Sequence, residues 1–425
     1  MHKIIILAAP GEGHFNPLVP IMSKLVLKGH NVVCITGRNY KNRVENTGAT
    51  FHPTPVKWDP GDKEIYDFFP KLKKKKGLYQ IKYYIKHILF DPVPDILNML
   101  ATVLENFHAD VVISDTFSPA GVWITALGGP PSVRVSVLPL SLPGKNIAPY
   151  GLGLLPGVSF FSKLRNNLLT EIFDNLLSRD VQNYGNKIRK DVGLPSYGKK
   201  IFIKELENPD LLLHMSIPSF EYPRKEFPAN FRFIGPVKVS PNPDYIKPDW
   251  WPEIEKDLPV VLINQGTIAK NYNDLIRPSI EALKDEQMII LAVPVKEGEI
   301  RNLPGNVHTE PYIPFGNVLP HIDIMITNGG FGGTQNALAH GIPIVIAGAT
   351  EDKMEVAARL EYTGAGINLR KQNPSPENIK KAVRKIMSDS TFKQKAEELQ
   401  TDFAKYDSPS LAVELVEELF EKTKS

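Results

Sequence analysis

Short apolar runs alternate with amphipathic, helix-like stretches along most of the chain. In the first half the apolar runs are residues 4–8, 32–36, 111–114, 133–138, 211–215 and 231–234. In the second half they are residues 260–264, 288–293, 322–327, 342–347 and 365–369. Runs of this length with helical patterns between them are typical of parallel strands covered on both faces. The pattern therefore predicts two α/β units, each built on a parallel sheet.

Two segments interrupt this rhythm and suggest how the units are divided. Residues 140–204 lack strand runs and carry amphipathic helical stretches such as 160–177, so they read as a helical insertion. Residues 235–259 contain six prolines separated by polar residues, which is typical of a stiff connector. We therefore predict domains over residues 1–240 and 241–407. The last segment, 408–425, is predicted to be a helix that could return to the first domain.

Composition limits the class of protein. A chain of 425 residues exceeds what one core usually supports, and 42% apolar and 23% charged residues fit a globular protein. No apolar stretch has the roughly 18 residues of a transmembrane helix, and the first run follows Met1 without a signal-peptide cleavage site. A net charge of +3 gives no reason to expect a nucleic acid partner, and the sole cysteine, Cys34, reads as a buried strand residue. We expect a cytoplasmic protein without integral membrane association.

The lysines at positions 73–76 form the one locally basic run. The simpler interpretation is a solvated loop, and the alternative is a contact with a membrane surface or an acidic ligand.

The most informative segment is residues 324–338, where an apolar strand runs into Gly329, Gly330, Gly332 and Gly333 and then into a helical pattern. Because glycine has no Cβ, backbone N–H groups and the positive end of a helix dipole can close on an anion there. The segment predicts a phosphate or diphosphate site, although its spacing fits neither G-x-x-x-x-G-K-[ST] nor G-x-G-x-x-G. The alternative is that these glycines only allow close packing of helix on strand.

Two candidate catalytic residues follow apolar runs of the first half. His14 lies in the turn after residues 4–8, and Asp115 comes directly after residues 111–114. Ligands of open α/β sheets bind beyond the carboxyl ends of the strands, and an imidazole there can accept a proton. A carboxylate bonded to the far imidazole nitrogen would fix its tautomer. The alternatives are an incidental loop histidine and an N-cap aspartate for a helix over residues 118–127.

Together these motifs resemble glycosyltransferase family 1, the nucleotide-sugar-dependent enzymes of the GT-B fold. The resemblance rests on Gly11-x-Gly13-His14-x-Asn16-Pro17, on residues 328–334 and on Glu351-Asp352-Lys353, and it spans nearly the whole chain. It implies an α/β fold with two Rossmann-like domains that face each other across a cleft, the first binding the acceptor and the second the donor. It also implies inverting hexosyl transfer from a UDP- or dTDP-sugar to a hydroxyl of a small apolar acceptor, such as a flavonoid or a macrolide.

The resemblance also assigns roles to residues. His14 falls on the general base and Asp115 on its acidic partner. The positions that match the donor nucleotide and diphosphate site are Gly13, Gly266, Thr267, Tyr312, Ile313, Asn328, Gly329, Gly330, Gly332, Gly333, Thr334 and Asn336. Among them, the Tyr312 ring is expected to stack on the base and the Ile313 backbone to pair with its edge. Glu351, Asp352 and Lys353 match the donor-sugar site, with Asp352 holding sugar hydroxyls.

The chain departs from the family pattern at three positions. Asn328 stands where many members have a histidine that contacts phosphate, so more of the phosphate charge must be met by backbone amides. Asn336 or its neighbour Gln335 stands where many members have the acid that binds ribose. Lys353 replaces the glutamine of plant members, and the short loops resemble the bacterial branch.

The expected chemistry needs no cofactor or metal. The chain has no D-x-D motif and no His or Cys cluster with ligand spacing, so the glycine loop, Thr334 and the helix that begins there are expected to stabilise the leaving diphosphate. We expect a monomer or a weak dimer. Acceptor selection is expected from residues that are otherwise core candidates: Phe68, Phe69, Tyr79, Tyr83, Leu138 and Phe160.

Three other functions remain open on the sequence alone. They are a nucleotide-sugar epimerase, a lipid-linked or membrane-surface glycosyltransferase of the same fold, and a non-catalytic nucleotide-sugar sensor. A membrane-acting enzyme should expose an apolar and basic face on its first domain.

Overall fold

The computed structural model describes residues 1–63, 65–75, 77–266, 271–296, 298–350 and 352–422, and two parallel sheets form its frame. The strands of the first sheet are β1 Lys3–Leu7, β2 Asn31–Thr36, β3 Thr50–Pro53, β4 Val111–Asp115, β5 Ser132–Ser136, β6 Leu211–His214 and β7 Phe231–Phe233. The strands of the second are β8 Val260–Asn264, β9 Ile289–Val293, β10 Val307–Thr309, β11 Ile324–Thr327, β12 Ile344–Ile346 and β13 Gly366–Asn368. The prediction of two parallel α/β units is confirmed.

Helices connect the strands and cover both sheets. The α-helices of the described ranges are α1 Glu12–Phe15, α2 Val19–Leu27, α3 Lys41–Glu45, α4 Ile65–Phe68, α5 Pro70–Lys73, α6 Gly77–Tyr84, α7 Val93–Phe107, α8 Ala120–Ala126, α9 Phe160–Ile172, α10 Arg179–Asp191, α11 Ile201–Glu207, α12 Ile276–Leu283, α13 Phe315–Val318, α14 Phe331–Leu338, α15 Lys353–Thr363, α16 Pro376–Ser388, α17 Thr391–Ala404 and α18 Ser408–Lys422. Short 3-10 segments are Asn16–Leu18, Arg38–Tyr40, Val56–Trp58, Gly198–Lys200, Pro218–Phe220, Trp251–Glu255 and Leu319–His321, and π-helical turns cover Ile85–Phe90 and Phe173–Leu177.

The strand order gives each sheet one topological switch point. The first sheet runs β3-β2-β1-β4-β5-β6-β7 and the second β10-β9-β8-β11-β12-β13, with every pairing parallel. The chain therefore changes direction between β1 and β4 in the first sheet and between β8 and β11 in the second. Such a change opens a crevice at the carboxyl ends of the two strands, where ligands bind.

Alternate residues of the central strands pack on opposite faces of each sheet. In β1, Ile4 and Ile6 belong to one buried apolar cluster and Ile5 and Leu7 to another. Helix α18 contributes Ala412, Val413, Val416 and Phe420 to the cluster that holds Ile4 and Ile6. The carboxy-terminal helix thus packs on the first sheet.

The proline-rich connector packs against both cores. Val237 packs against the first core and Val239 against the second, so the chain crosses between these two residues. Further along, Trp251 and Ile254 are buried in the second core. Apolar contacts therefore hold the connector near its beginning and near its end.

Strands β3 and β10 are not predicted by the apolar pattern. Both lie at sheet edges; β3 reads Thr-Phe-His-Pro and is half-exposed, and β10 has three residues. Edge strands carry weaker apolar signals because only part of each is buried. Cys34 is fully buried in β2, as predicted. Among the described residues, no helix has the length and apolar character needed to cross a membrane.

Candidate active site

Several of the predicted site residues lie at the two switch points. In the first sheet, β1 leads into α1, which carries His14, and β4 ends at Asp115. In the second sheet, β8 leads to Gly266 and β11 to residues 328–330. The topology therefore brings together residues that lie far apart in sequence.

His14 lies beside Asp115 in a nearly closed environment. The His14 Nδ1 atom is 3.5 Å from Asp115 Oδ2, and the imidazole packs against the edge of the Phe117 ring with 4.3 Å between centroids. Nδ1 has no hydrogen-bond partner within the described ranges. Burial lowers the pKa of His14 below its ordinary 6.5, and the nearby Asp115 opposes that shift only in part. The side chain is therefore neutral near pH 7 and able to accept a proton.

Backbone N–H groups on both sides of Asp115 hold its carboxylate in place. The Ala9 N–H donates to Oδ2 at 2.9 Å and the Phe117 N–H donates to Oδ1 at 2.7 Å, and the side chain is fully buried. Helix α8 begins at Ala120 rather than near Ser118, and Asp115 does not cap it. The N-cap interpretation is therefore wrong, and the carboxylate is fixed beside the imidazole.

The glycine loop leaves an open surface at the start of α14. A Cβ placed on Gly330 or Gly332 would meet no atom within 4 Å, and one on Gly333 would meet only Phe315 at 3.7 Å. Gly329 differs, because its φ is +93° and a Cβ there would lie 2.7 Å from Ile346. The first N–H groups of α14 lack acceptors inside the helix, and this surface lies at the same end of the helix. The geometry suits an anion.

Asn328, Thr334 and Gly266 lie against this loop. The Asn328 amide donates to the Gln265 carbonyl and so ties the end of β11 to the end of β8. Thr334 is fully buried, and its hydroxyl has no hydrogen-bond partner in the described part of the chain. Gly266 has a φ of +76°, and a Cβ there would press on the Asn328 amide at 3.3 Å. Thr267 and Glu351, both predicted site residues, lie outside the described residues.

The candidate sugar residues lie next to the glycine loop. Asp352 immediately precedes α15, and the Lys353 Cβ is 3.6 Å from the Cβ position of Gly329 and 3.1 Å from that of Gly348. The Lys353 ammonium lies 3.4 Å from the Thr350 hydroxyl. The predicted diphosphate and sugar motifs are thus contiguous in space.

The candidate base-binding residues also lie near the loop. Tyr312 is 67% exposed and Ile313 is buried, and Phe315 two residues later touches the Cβ position of Gly333. Gly13, one residue before His14, has open space around its Cβ position.

Asn336 and Gln335 make contacts that compete with the predicted ribose role. The Asn336 amide accepts from the Val239 N–H at 3.1 Å and donates to the Val237 and Gly332 carbonyls at 3.2 and 2.9 Å. Gln335 donates to the Met215 carbonyl at 3.1 Å. Both side chains lie on the buried side of α14, toward the connector and the first half. Both N–H groups of the Asn336 amide are therefore engaged, and its oxygen keeps one lone pair with which it could accept a ribose hydroxyl.

The candidate acceptor residues are not buried in the core. Phe160 and Tyr79 are 74% and 75% exposed, and the others are half-buried: Phe68, Phe69, Tyr83 and Leu138. Of the six, Leu138 packs against a buried apolar cluster. A core role therefore fits Leu138 alone.

A buried ionic network between the two halves is not predicted from the sequence. Arg359 of α15 donates to Glu221 Oε2 at 2.6 Å, to Glu355 Oε2 at 2.8 Å and to the Leu140 carbonyl at 2.9 Å. His214 Nε2 lies 3.2 Å from Glu221 Oε1. Burial alone would raise the pKa of Glu221, but Arg359 and the contact with His214 bring it to about 2. The spacing of Glu355 and Arg359 by four residues is the one signal in the sequence that points to this network.

Comparison with known proteins agrees with this arrangement. Residues 279–420 match the family described as erythromycin biosynthesis protein CIII-like, C-terminal domain. The 4'-demethylrebeccamycin synthase of Lentzea aerocolonigenes is 37% identical over 418 residues, which cover 98% of this chain and 99% of that protein. UDP-glycosyltransferase 2 of Phaeomoniella chlamydospora is 32% identical over 434 residues, which cover 98% and 95%.

Solved structures show the same fold. CalG4, the calicheamicin glycosyltransferase, superimposes with a TM-score of 0.75 at 22% identity over 98% of both chains. The glycosyltransferase SsfS6 of Streptomyces sp. SF2575, complexed with thymidine diphosphate, gives 0.67 at 20% identity over 98% of this chain and all of that one.

The fold and the site thus define a GT-B glycosyltransferase. The chain belongs to glycosyltransferase family 1, and it is a glycosyltransferase of the natural-product class. The family, fold and enzyme class that the resemblance implied are confirmed. In the described ranges, no three His, Cys, Asp or Glu side chains are grouped as a metal site would require.

Proposed function

We propose that the protein is an inverting, metal-independent hexosyltransferase that moves a sugar from a nucleoside-diphosphate sugar to a hydroxyl of a small, largely apolar acceptor. The observation that carries this proposal is the His14–Asp115 pair at the switch point of the first sheet. The glycine loop at the switch point of the second sheet supplies the complementary donor site.

In the proposed reaction, neutral His14 removes the proton of the acceptor hydroxyl while that oxygen attacks the anomeric carbon. Asp115, fixed by the Ala9 and Phe117 N–H groups, stabilises the imidazolium that forms. The bond to the diphosphate breaks on the opposite face of the sugar, so a single displacement inverts the anomeric centre. The amides at the start of α14, with Thr334, stabilise charge on the leaving group.

The donor is proposed to be a UDP- or dTDP-sugar. The names of several relatives specify UDP, whereas SsfS6 is complexed with thymidine diphosphate. Tyr312 is sufficiently exposed to stack on either pyrimidine. Lys353 lies beside the glycine loop, which supports a sugar-binding role for it and for the adjacent Asp352. Competition titrations with UDP and dTDP would distinguish the two nucleotides.

The direct test is transfer itself. Purified protein is incubated with UDP- and dTDP-glucose and with phenolic and macrolide acceptors, and products are detected by mass spectrometry. Formation of a monoglycoside by the wild type, but not by His14→Ala, is the expected result. Release of free sugar without any glycoside, or conversion of the donor to an epimer, would contradict the proposal.

One observation favours a second candidate, an acceptor held at a membrane surface. The apolar face of α9 and the turn after it exposes Phe160, Phe161, Leu164, Leu168 and Leu176 by 56–79% of their surface. Lys163 and Arg165 are exposed on the same helix. Exposed apolar patches of this kind mark interaction sites. Cosedimentation with anionic vesicles that is lost in Phe161→Ser/Leu164→Ser would support this candidate, and absence of binding by the wild type would exclude it.

A further inference from the structure

A loop of the first half reaches across to the predicted donor-sugar residues. The N–H groups of Gly151 and Gly153 donate to the same carboxylate oxygen, Glu355 Oε1, at 2.8 and 2.9 Å. Glu355 lies in the first turn of α15, is 4% exposed and is held from its other oxygen by Arg359. The loop of residues 150–153 is therefore fastened to the helix that begins beside Asp352.

The loop touches the backbone of this helix. A Cβ on Gly153 would lie 2.9 Å from both the Cβ and the carbonyl oxygen of Met354. Gly153 also has a φ of +58°, so both its conformation and its surroundings require glycine. Because Met354 directly follows Asp352 and Lys353, residues 150–153 form one wall of the space next to the predicted sugar-binding residues.

Tyr150 places an unused hydroxyl in this wall. The Tyr150 Oη atom is buried and has no hydrogen-bond partner among the residues that the structure describes. Burial raises the pKa of Tyr150 well above its ordinary value, and the carboxylates of Asp352 and Glu355 raise it further. The hydroxyl is therefore protonated and able to donate, and Tyr150 directly precedes Gly151, whose N–H donates to Glu355 at the start of α15. Most buried hydroxyls are hydrogen-bonded, so this one has an unused bonding capacity that a ligand beside it could take up.

We propose that Tyr150 is a specificity residue of the donor site, and that its hydroxyl binds a hydroxyl of the donor sugar next to Asp352. The proposal rests on the proposed function, since it assumes a sugar at Asp352 and Lys353. It adds a contact from the first half to the sugar-binding part of the site, whose other predicted residues lie in the second half. The chemistry that fits is a vicinal pair of sugar hydroxyls, one accepted by the Asp352 carboxylate and one bonded to the tyrosine.

The test compares Tyr150→Phe with a matched control, Tyr222→Phe. Tyr222 is also a buried tyrosine with an unpartnered hydroxyl, but it packs on Arg359 and Tyr362, further along α15 from Asp352. Each variant and the wild type are titrated by calorimetry with UDP, UDP-glucose, dTDP and dTDP-glucose. Melting temperatures establish that both variants are folded.

Tyr150→Phe is expected to weaken binding of at least one nucleotide sugar about 3- to 10-fold, the range of a lost hydrogen bond, and to leave UDP and dTDP affinities unchanged. Tyr222→Phe should change neither. With UDP-glucose analogues that lack one hydroxyl each, one analogue should bind wild type and Tyr150→Phe equally, because the bond is already absent. Unchanged affinity for both nucleotide sugars, or an equal loss for sugars and free nucleotides, would overturn the proposal.

This readout is separate from catalysis. If the wild type binds nucleotide sugars but transfers nothing, the proposed function fails while the Tyr150 contact is still measured. If the wild type transfers sugar and Tyr150→Phe binds every nucleotide sugar as the wild type does, the proposed function stands and the Tyr150 contact is refuted.

Discussion

Asp115→Asn tests the proposed catalytic pair most sharply, because the change removes one charge and almost no volume. The carboxylate lies 3.5 Å from His14 Nδ1. At an effective dielectric constant of about 20, a full ion pair at that distance is worth about 5 kcal/mol. Since about 1.4 kcal/mol corresponds to a tenfold change in rate, kcat should fall by up to about three-thousandfold.

The same substitution also has a structural cost that must be measured separately. Both oxygens of Asp115 accept backbone N–H groups, from Ala9 and Phe117, whereas asparagine has one acceptor oxygen. One N–H group therefore loses its acceptor, which costs about 1–3 kcal/mol of stability. The melting temperature should fall, but the protein should remain folded at the assay temperature.

Asp110→Asn is a matched control at the other end of β4. Asp110 lies 3.3 Å from His2 Nδ1 and accepts the Lys3 N–H at 2.8 Å, so it repeats the histidine and backbone contacts away from the site. Steady-state kinetics with saturating donor should show a large loss of kcat for Asp115→Asn and little change for Asp110→Asn. An effect of Asp115→Asn confined to the acceptor KM, or equal losses in both variants, would refute the catalytic role.

Three further predictions follow from the site. His14→Ala should reduce transfer about 10²- to 10⁴-fold without weakening UDP binding. In the wild type, kcat/KM should fall as the pH drops through a midpoint below 6.5, because His14 must be neutral to act as the base. A midpoint above 6.5 would contradict the assignment. Asp352→Ala should lower transfer and Lys353→Gln should alter the ranking of donor sugars, and both variants should bind UDP nearly as the wild type does. If both variants bind UDP more weakly by the same factor as the full nucleotide sugar, these residues do not form a sugar site. Gly330→Val should fold, since the Gly330 φ of −63° and ψ of 134° suit valine and its surroundings are open, but it should lose UDP binding. Transfer by the wild type should persist in excess EDTA, because the loop amides bind the diphosphate. Inhibition by EDTA that magnesium reverses would show that the loop does not act alone.

The alternation of apolar and amphipathic segments was sufficient to predict the two-sheet fold. Central strands such as β1 and β8 are buried on both faces, so their whole length is apolar and the signal is strong. Strands β3 and β10 were missed because, at the edges, partial exposure permits polar residues such as His52 and His308.

Residues directly after strands were predictable as site candidates, whereas contacts between the halves were not. His14 and Asp115 follow strands that turn out to be neighbours, and the rule for parallel sheets places both at one edge. Asn336 was predicted to bind the ribose from the resemblance to the family alone. Helical spacing does not reveal that the Asn336 side chain contacts the connector. Tyr150 lies in a segment without periodicity, so only three-dimensional packing brings its loop to the start of α15.

The anomeric configuration of the product tests the central claim most directly. With an α-linked donor such as UDP-glucose and an acceptor that the enzyme glycosylates, proton NMR of the purified glycoside distinguishes the two configurations at the anomeric carbon. A single displacement with His14 as base predicts the β-glycoside alone. An α-glycoside would contradict the account, because retention requires either two displacements or a front-side mechanism that gives His14 no role as the base on the opposite face.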